Sequence, residues 1–259
     1  MATGRWSEAD WLECISPEQM LAHLGGRASA RKKRLFACAC IRRIWPLLDD
    51  ERLYAAVELA ERYADGQADA RQMQRALLLV SLLREERAAA EKRQATWMAR
   101  AARAAAQAVE ALLPVKGAIL ETPRDVRDPP DVISATRIAR TAARADSAFR
   151  EERSGAALLS CADSSPRLES LDAVDLLREI FVNPFRTVIV DPTWLAHEGG
   201  FVAKRARAVY QENRFDELPL VADALARAGC TDAAILSHCR TPGGHVRGCW
   251  VVDALLGMQ

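Results

Sequence analysis

Apolar residues along this chain recur mostly at three- and four-residue spacing, the period of a helix, with little strict alternation. In "ISPEQMLAHLGG", Ser16 stands before Pro17, with Gln19 three positions after it. That is an N-cap with proline at the first helical position, and Gly25-Gly26 ends the run. Residues 30–45, "ARKKRLFACACIRRIW", predict a second helix. At about 100° per residue, Phe36, Cys38, Cys40, Ile41, Ile44 and Trp45 fill one broad arc; Arg31, Lys32, Arg42 and Arg43 gather opposite, around Leu35 and Ala39. A third helix is expected from about Asp50 to Ala64, stopped by Gly66.

Residues 70–113 hold no Gly or Pro and are rich in Ala, Arg, Gln and Glu, all strong helix formers. One long helix and a break into two near 88–92 both fit the pattern; a single helix would run roughly 65 Å, longer than a compact domain of this size, which favours a break or a projecting hairpin. "ETPRDVRDPPD" at 121–131 is a charged, proline-punctuated connection, after which helix resumes at about 131–153 and again at 168–181. The character changes in "NPFRTVIVDPTWLAHEGG", 183–200, where Val188 to Val190 is the one strand-like run and has no evident partner. Beyond it the pattern predicts helices at 201–213, at 217–228 (capped by Asp216 and ended by Gly229) and at 232–239 (capped by Thr231). A turn at "TPGG" and a closing helix over 245–256 complete the chain.

The fold expected is therefore all-α. An N-terminal helical part, 1–182, has a bundle-like character and long Ala/Arg-rich helices. An aromatic and proline-bearing connection, 183–200, leads to a compact C-terminal helical part, 201–259. Half of the 259 residues are apolar, enough for a core, and the formal net charge is +1. That balance gives no global attraction to nucleic acid or anionic lipid, so any such binding needs a local patch. The longest apolar run, "ALLLVSLL", is too short to span a bilayer, and no signal peptide is evident. Seven cysteines without a framework spacing suit free thiols in a reducing cytoplasm.

The segments "DWLECISPEQMLAHL", "RLFACACIRRIW", "AVELAERYADG", "LLREIFVNPFR", "DPTWL" and "HCRTPGGHVRGCWVVDALLG" together resemble a family of proteins abundant in bacteria of the planctomycete type. No activity is established for that family, so the resemblance implies no catalytic role for any residue.

Three sets of residues are candidates for function. The first is the closing segment, where a helix over 245–256 would put His245 and Cys249 on one face, four apart, with Cys239 folded back toward them and Cys230 or His238 as a fourth donor. Cys and His are the donors of structural zinc, but the spacing matches no standard finger. Adjacent His238 and Cys239 diverge on a helix, which favours Cys239 over the pair. The bland reading is a packed terminal helix with no cofactor. The second set is the basic patch Arg31, Lys32, Arg42 and Arg43, either a solvated face paired with acids of the next helix or an anion-binding surface. The third is Phe185 and Trp194, which either seat the connection or form a recognition loop.

No nucleophile elbow, phosphate loop or dinucleotide fingerprint occurs. A non-catalytic protein–protein interaction module (adaptor, regulator or subunit) is the leading functional expectation, with another protein as its partner. A nucleic-acid-associated regulator using residues 27–43, and a zinc-binding protein or enzyme built on the C-terminal cluster, are the alternatives. No membrane partner is expected.

Overall fold

The computed structural model describes residues 6–43, 45, 48, 50–93, 97–113, 166–242 and 244–258. Among them are twelve α-helices, joined by turns and short 3₁₀ segments, and no strand. The expected all-α class is what forms. The helix expected over 131–153 lies outside the described residues.

The chain divides into two compact units, residues 13–175 and residues 1–12 with 176–259. In the first, α2 (Pro17–Leu24) starts where Ser16 Oγ accepts the Gln19 amide at 3.4 Å. It ends at Gly25, whose φ of 49° lies in the region where a side chain would be strained. Then come α3 (Ala30–Arg42), α4 (Glu51–Ala64), α5 (Ala70–Arg93) and α6 (Trp97–Leu112). Asp50 caps α4 by accepting the Arg52 amide at 2.9 Å. The described part of the long Ala/Arg-rich stretch is two helices, α5 and α6, packed on each other.

These four helices close on one another: α3 on α4, α4 on α5, α5 on α6, and α6 back on α3 and α4. Every residue of α3 from Arg34 to Ile41 is buried. The apolar arc read from the sequence is thus too narrow, because Leu35, Ala37 and Ala39 are covered as well. Neighbours close over both sides of α3, and small residues at 37 and 39 let them come near. Cys38 and Cys40 sit in this core as small apolar residues, and burial pushes the Cys40 thiol up to about 12.

The second unit holds the N-terminal segment and the C-terminal third. From α1 (Glu8–Glu13), the carbonyls of Trp11 and Leu12 accept from Arg178 Nη2 at 3.2 and 2.6 Å. Arg178 lies on α7 (Pro166–Ile180), so a cation meets the carbonyls at a helix end. Asn183 and Arg186 both donate to Glu8 Oε1. Residues 187–191 run extended without pairing: Val188 and Val190 lean on the core and Ile189 points out. The alternation is strand-like, but among the described residues no strand forms.

Asp191 then caps α8 (Pro192–Ala196), its carboxylate accepting from the Thr193 amide and hydroxyl at 2.8 and 2.7 Å. The remaining helices are α9 (Phe201–Gln211), α10 (Leu218–Arg227), α11 (Ala233–Arg240) and α12 (Trp250–Leu256). α9 packs on α10 and α12, and α11 packs on α10 and touches α12. Val202, Val209, Leu218, Val221, Leu225, Val252 and Leu255 form the centre of their core.

Three helix ends differ from the expected ones. Asp232, not Thr231, caps α11, accepting the Ala234 and Ile235 amides at 2.8 and 3.1 Å. Asp216 belongs to a 3₁₀ turn, and α10 has no side-chain cap. The closing helix begins at Trp250 rather than 245. Residues 246–249 form a turn, with Cys249 N donating to Val246 O at 2.9 Å and Gly248 at φ 94°. That positive φ breaks the helix and makes glycine the fitting residue.

Candidate metal centre

Within the unit of residues 1–12 and 176–259, four potential ligands converge. Glu179 comes from the last turn of α7, His238 from the last turn of α11, His245 from the turn after α11, and Cys249 from the N-cap of α12. One donor atom from each lies within 4.8 Å of all the others.

The local sequence explains how they reach this point. α11 turns Cys239 into the core and leaves the adjacent His238 about 100° away, facing α12. The turn at 246–249 then carries the chain back, bringing His245 and Cys249 to the same spot. Arg247 pins that turn: its guanidinium lies over the Tyr210 ring at 4.6 Å and donates to the Tyr210 carbonyl at 3.1 Å.

His238 Nε2 lies 3.2 Å from Cys249 Sγ and 3.2 Å from Glu179 Oε2. His245 Nδ1 lies 3.0 and 3.1 Å from the two Glu179 oxygens. Zinc bonds of about 2.0–2.3 Å in a tetrahedron require ligand–ligand edges of roughly 3.3–3.6 Å; the His238–Cys249 and His238–Glu179 contacts are near that, and the remaining pairs lie within 4.8 Å. The other nitrogen of His245, Nε2, is 3.0 Å from the Thr241 carbonyl oxygen. With the Thr241 carbonyl at Nε2 and the Glu179 carboxylate at Nδ1, both ring nitrogens donate; if Nδ1 gives up its proton to ligate a metal, the Thr241 carbonyl still holds the Nε2 proton, the usual outer support of a ligating histidine.

The cluster is well covered, with side-chain exposures of 10% for Glu179, 16% for His238 and 7% for His245, and Cys249 fully buried. Burial pulls the Glu179 carboxyl up, but hydrogen bonds from His238 and His245 outweigh it and hold the group at about 2. His245 is pulled down by burial and raised further by its bond to Glu179, for a net rise. Burial, then the Glu179 charge, pushes the Cys249 thiol well above its ordinary range. A thiol in that state is no free nucleophile, since the thiolate is the reactive form. A dipositive ion changes this balance: one thiolate and one carboxylate with two neutral imidazoles neutralise its charge.

Of the four metal candidates read from the sequence, His245 and Cys249 come together here. Cys230 and Cys239 are also buried in the core of this unit but are not among the converging donors. Burial pushes the Cys239 thiol up to about 12. His238 takes the place given to Cys239, and the reason is the same helical divergence that separates the two. Glu179 is the ligand that the sequence pattern does not reveal. Its signal is a carboxylate in "LLREIF", flanked by Leu176, Leu177, Ile180 and Phe181, all buried. A lone acid in an apolar helix end needs a partner, but nothing in its own neighbourhood points to residues some sixty positions on.

The other candidates are placed differently. Arg31 donates to Asp65 Oδ1 at 2.9 Å, and Arg42 grips Glu61 with two bonds, the Nη2 one at 2.8 Å. Arg31 and Arg42 are thus paired with acids of the next helical segment; Lys32 is half-buried and Arg43 exposed. Trp194 packs against the core of its unit, whereas Phe185 is 39% exposed on the turn at 183–186.

The chain matches no family model, no curated protein and no solved structure.

Proposed function

We propose that residues 176–259 form a zinc-binding module with Glu179, His238, His245 and Cys249 as ligands. One observation carries this reading: four donors of three chemical types, from separate stretches of chain, converge within 4.8 Å of one another in a well-covered cluster whose charges can balance a dipositive ion. Mixed thiolate, imidazole and carboxylate donors suit a borderline ion such as zinc better than calcium or magnesium, which take oxygen. All four positions are filled by protein, so the ion is structural, joining the end of α7, the end of α11 and the start of α12. Elemental analysis under reducing conditions is the test, with about one zinc expected per chain. The H245A and C249S variants lose it, and C230S and C239S keep it. Less than about a tenth of an equivalent in the wild type after zinc is supplied would leave Glu179–His245 as a plain ion pair.

A protein-binding role, with the metal module as a rigid part of an adaptor or subunit, is a second reading. It is supported by Leu78, Leu79 and Leu82, each at least half exposed along one arc of α5. Co-purification from a native host with the wild type, lost on changing the three leucines to serine, tests it.

A further inference from the structure

We propose that Trp250 competes with the metal for His238, so that loading zinc releases the indole and re-seats the first residue of α12. This rests on the reading of the cluster as a zinc centre. The Trp250 indole Nε1 lies 3.1 Å from His238 Nδ1, with the two rings 4.8 Å apart at 54°. An indole nitrogen only donates, so Nδ1 must be the acceptor in this contact. A neutral imidazole carries one proton, and with Nδ1 accepting it sits on Nε2. That matches the surroundings, because Nε2 faces the Glu179 carboxylate at 3.2 Å.

Zinc needs the Nε2 lone pair, since Nε2 is the nitrogen inside the cluster. The single proton of the neutral ring then moves to Nδ1, and two N–H groups point at each other. A half-buried indole cannot keep that contact and must turn away. His245 shows the opposite arrangement: its outer nitrogen meets the Thr241 carbonyl, which stays satisfied when the inner nitrogen ligates. One histidine is thus prepared for the ion and the other is held by a competing donor. Trp250 follows directly on Cys249, so the ion and the indole act on the same helix start. The metal-free and loaded forms accordingly differ at a partly exposed tryptophan on the surface of the module.

The experiment uses the full chain labelled with ¹⁵N and titrated with zinc under reducing conditions. The chain has six tryptophans, and W250F assigns the indole signal of interest. In zinc-free protein that N–H is expected downfield and slow to exchange with water; at one equivalent it loses both properties. W250F fills the same space without the donor, so its zinc Kd, read by competition with a chromophoric chelator, is expected roughly two- to tenfold tighter. If zinc binds and the Trp250 signal keeps its shift and protection, or if W250F binds no tighter, the competition is overturned and the metal centre stands. If the wild type binds no zinc, the metal centre itself is overturned.

Discussion

Each of the two units buries a glutamate, and the two are satisfied by different means. Glu61 in the first unit lies on α4 and is gripped by Arg42 of α3, nineteen residues earlier in the adjacent helix. Glu179 in the second is met by two histidines from residues 238 and 245. The first pairing uses a fixed charge: an arginine stays protonated, its fork matches the carboxylate, and nothing further is called for. The second uses imidazoles beside a thiol, groups that can give up a proton and turn a lone pair toward an ion. The cysteines follow the same division. Cys40 fills space among apolar residues and Cys38 lies beside the Arg42–Glu61 pair, whereas Cys249 meets an imidazole nitrogen. Residue type is therefore a poor guide to role, and the company a side chain keeps decides between packing and ligation.

The proposed zinc site lets that contrast be broken most directly by chelation. At free zinc a thousandfold above Kd, the ion stabilises the unit that binds it by about 4 kcal/mol. For a unit of this size that is roughly 15–30 °C in melting temperature. Chelation should lower the melting of the 1–12 and 176–259 unit by that order and leave the unit of residues 13–175 unchanged, as followed by hydrogen exchange on the full chain. A single transition unaffected by chelator would remove the distinction between the two buried clusters.

The next largest effect separates the two glutamates. E179Q should weaken zinc binding by about a hundredfold or more, because it removes a charged ligand. E61Q should leave zinc affinity unchanged while destabilising the first unit by about 2 kcal/mol. That is less than the ~3–5 kcal/mol of a fully buried broken pair, because Arg42 is about a quarter exposed. Chemical denaturation and chelator competition on the same two variants measure both numbers.

A smaller effect sharpens the comparison of cysteines. C38S and C40S each put a hydroxyl into an apolar core and should cost about 1–3 kcal/mol with zinc stoichiometry intact. C249S should abolish the metal. C239S is the informative case, for it should behave like C38S although it neighbours a proposed ligand. Loss of zinc in C239S would move the ligand set toward the one read from the sequence. The smallest expected effect is at the helix caps: D50A and D232A should each cost about 1 kcal/mol. D232A should also weaken zinc slightly by loosening the start of α11, and D50A should not.

Much of the first unit is legible in the sequence alone. Ser16, Pro17, Asp50 and Gly25 act at helix ends through bonds to near neighbours, so they can be read locally. Length argues against one continuous helix over 70–113 but does not choose between a break and a projecting hairpin. The enclosure of α3 is harder, since how many sides are covered depends on helices elsewhere in the chain. In the second unit the sequence pattern brings His245 and Cys249 together, but on the wrong element. A helix over 245–256 puts i and i+4 on one face, whereas the actual turn brings the same two residues together through Gly248. Periodicity does not distinguish these two routes to one neighbourhood.

By itself, then, the sequence determined the helical class, most helix boundaries, the cysteine and histidine density of the closing segment, and the divergence of His238 from Cys239. These follow from backbone preference and from the angle between neighbours on a helix, which need no distant partner. Only the tertiary structure decided that His238 rather than Cys239 faces the cluster, that Glu179 completes it, and that Trp250 holds His238. Those choices depend on which surfaces α7, α11 and α12 bury together, and burial between elements far apart in the chain is set by packing of the whole unit.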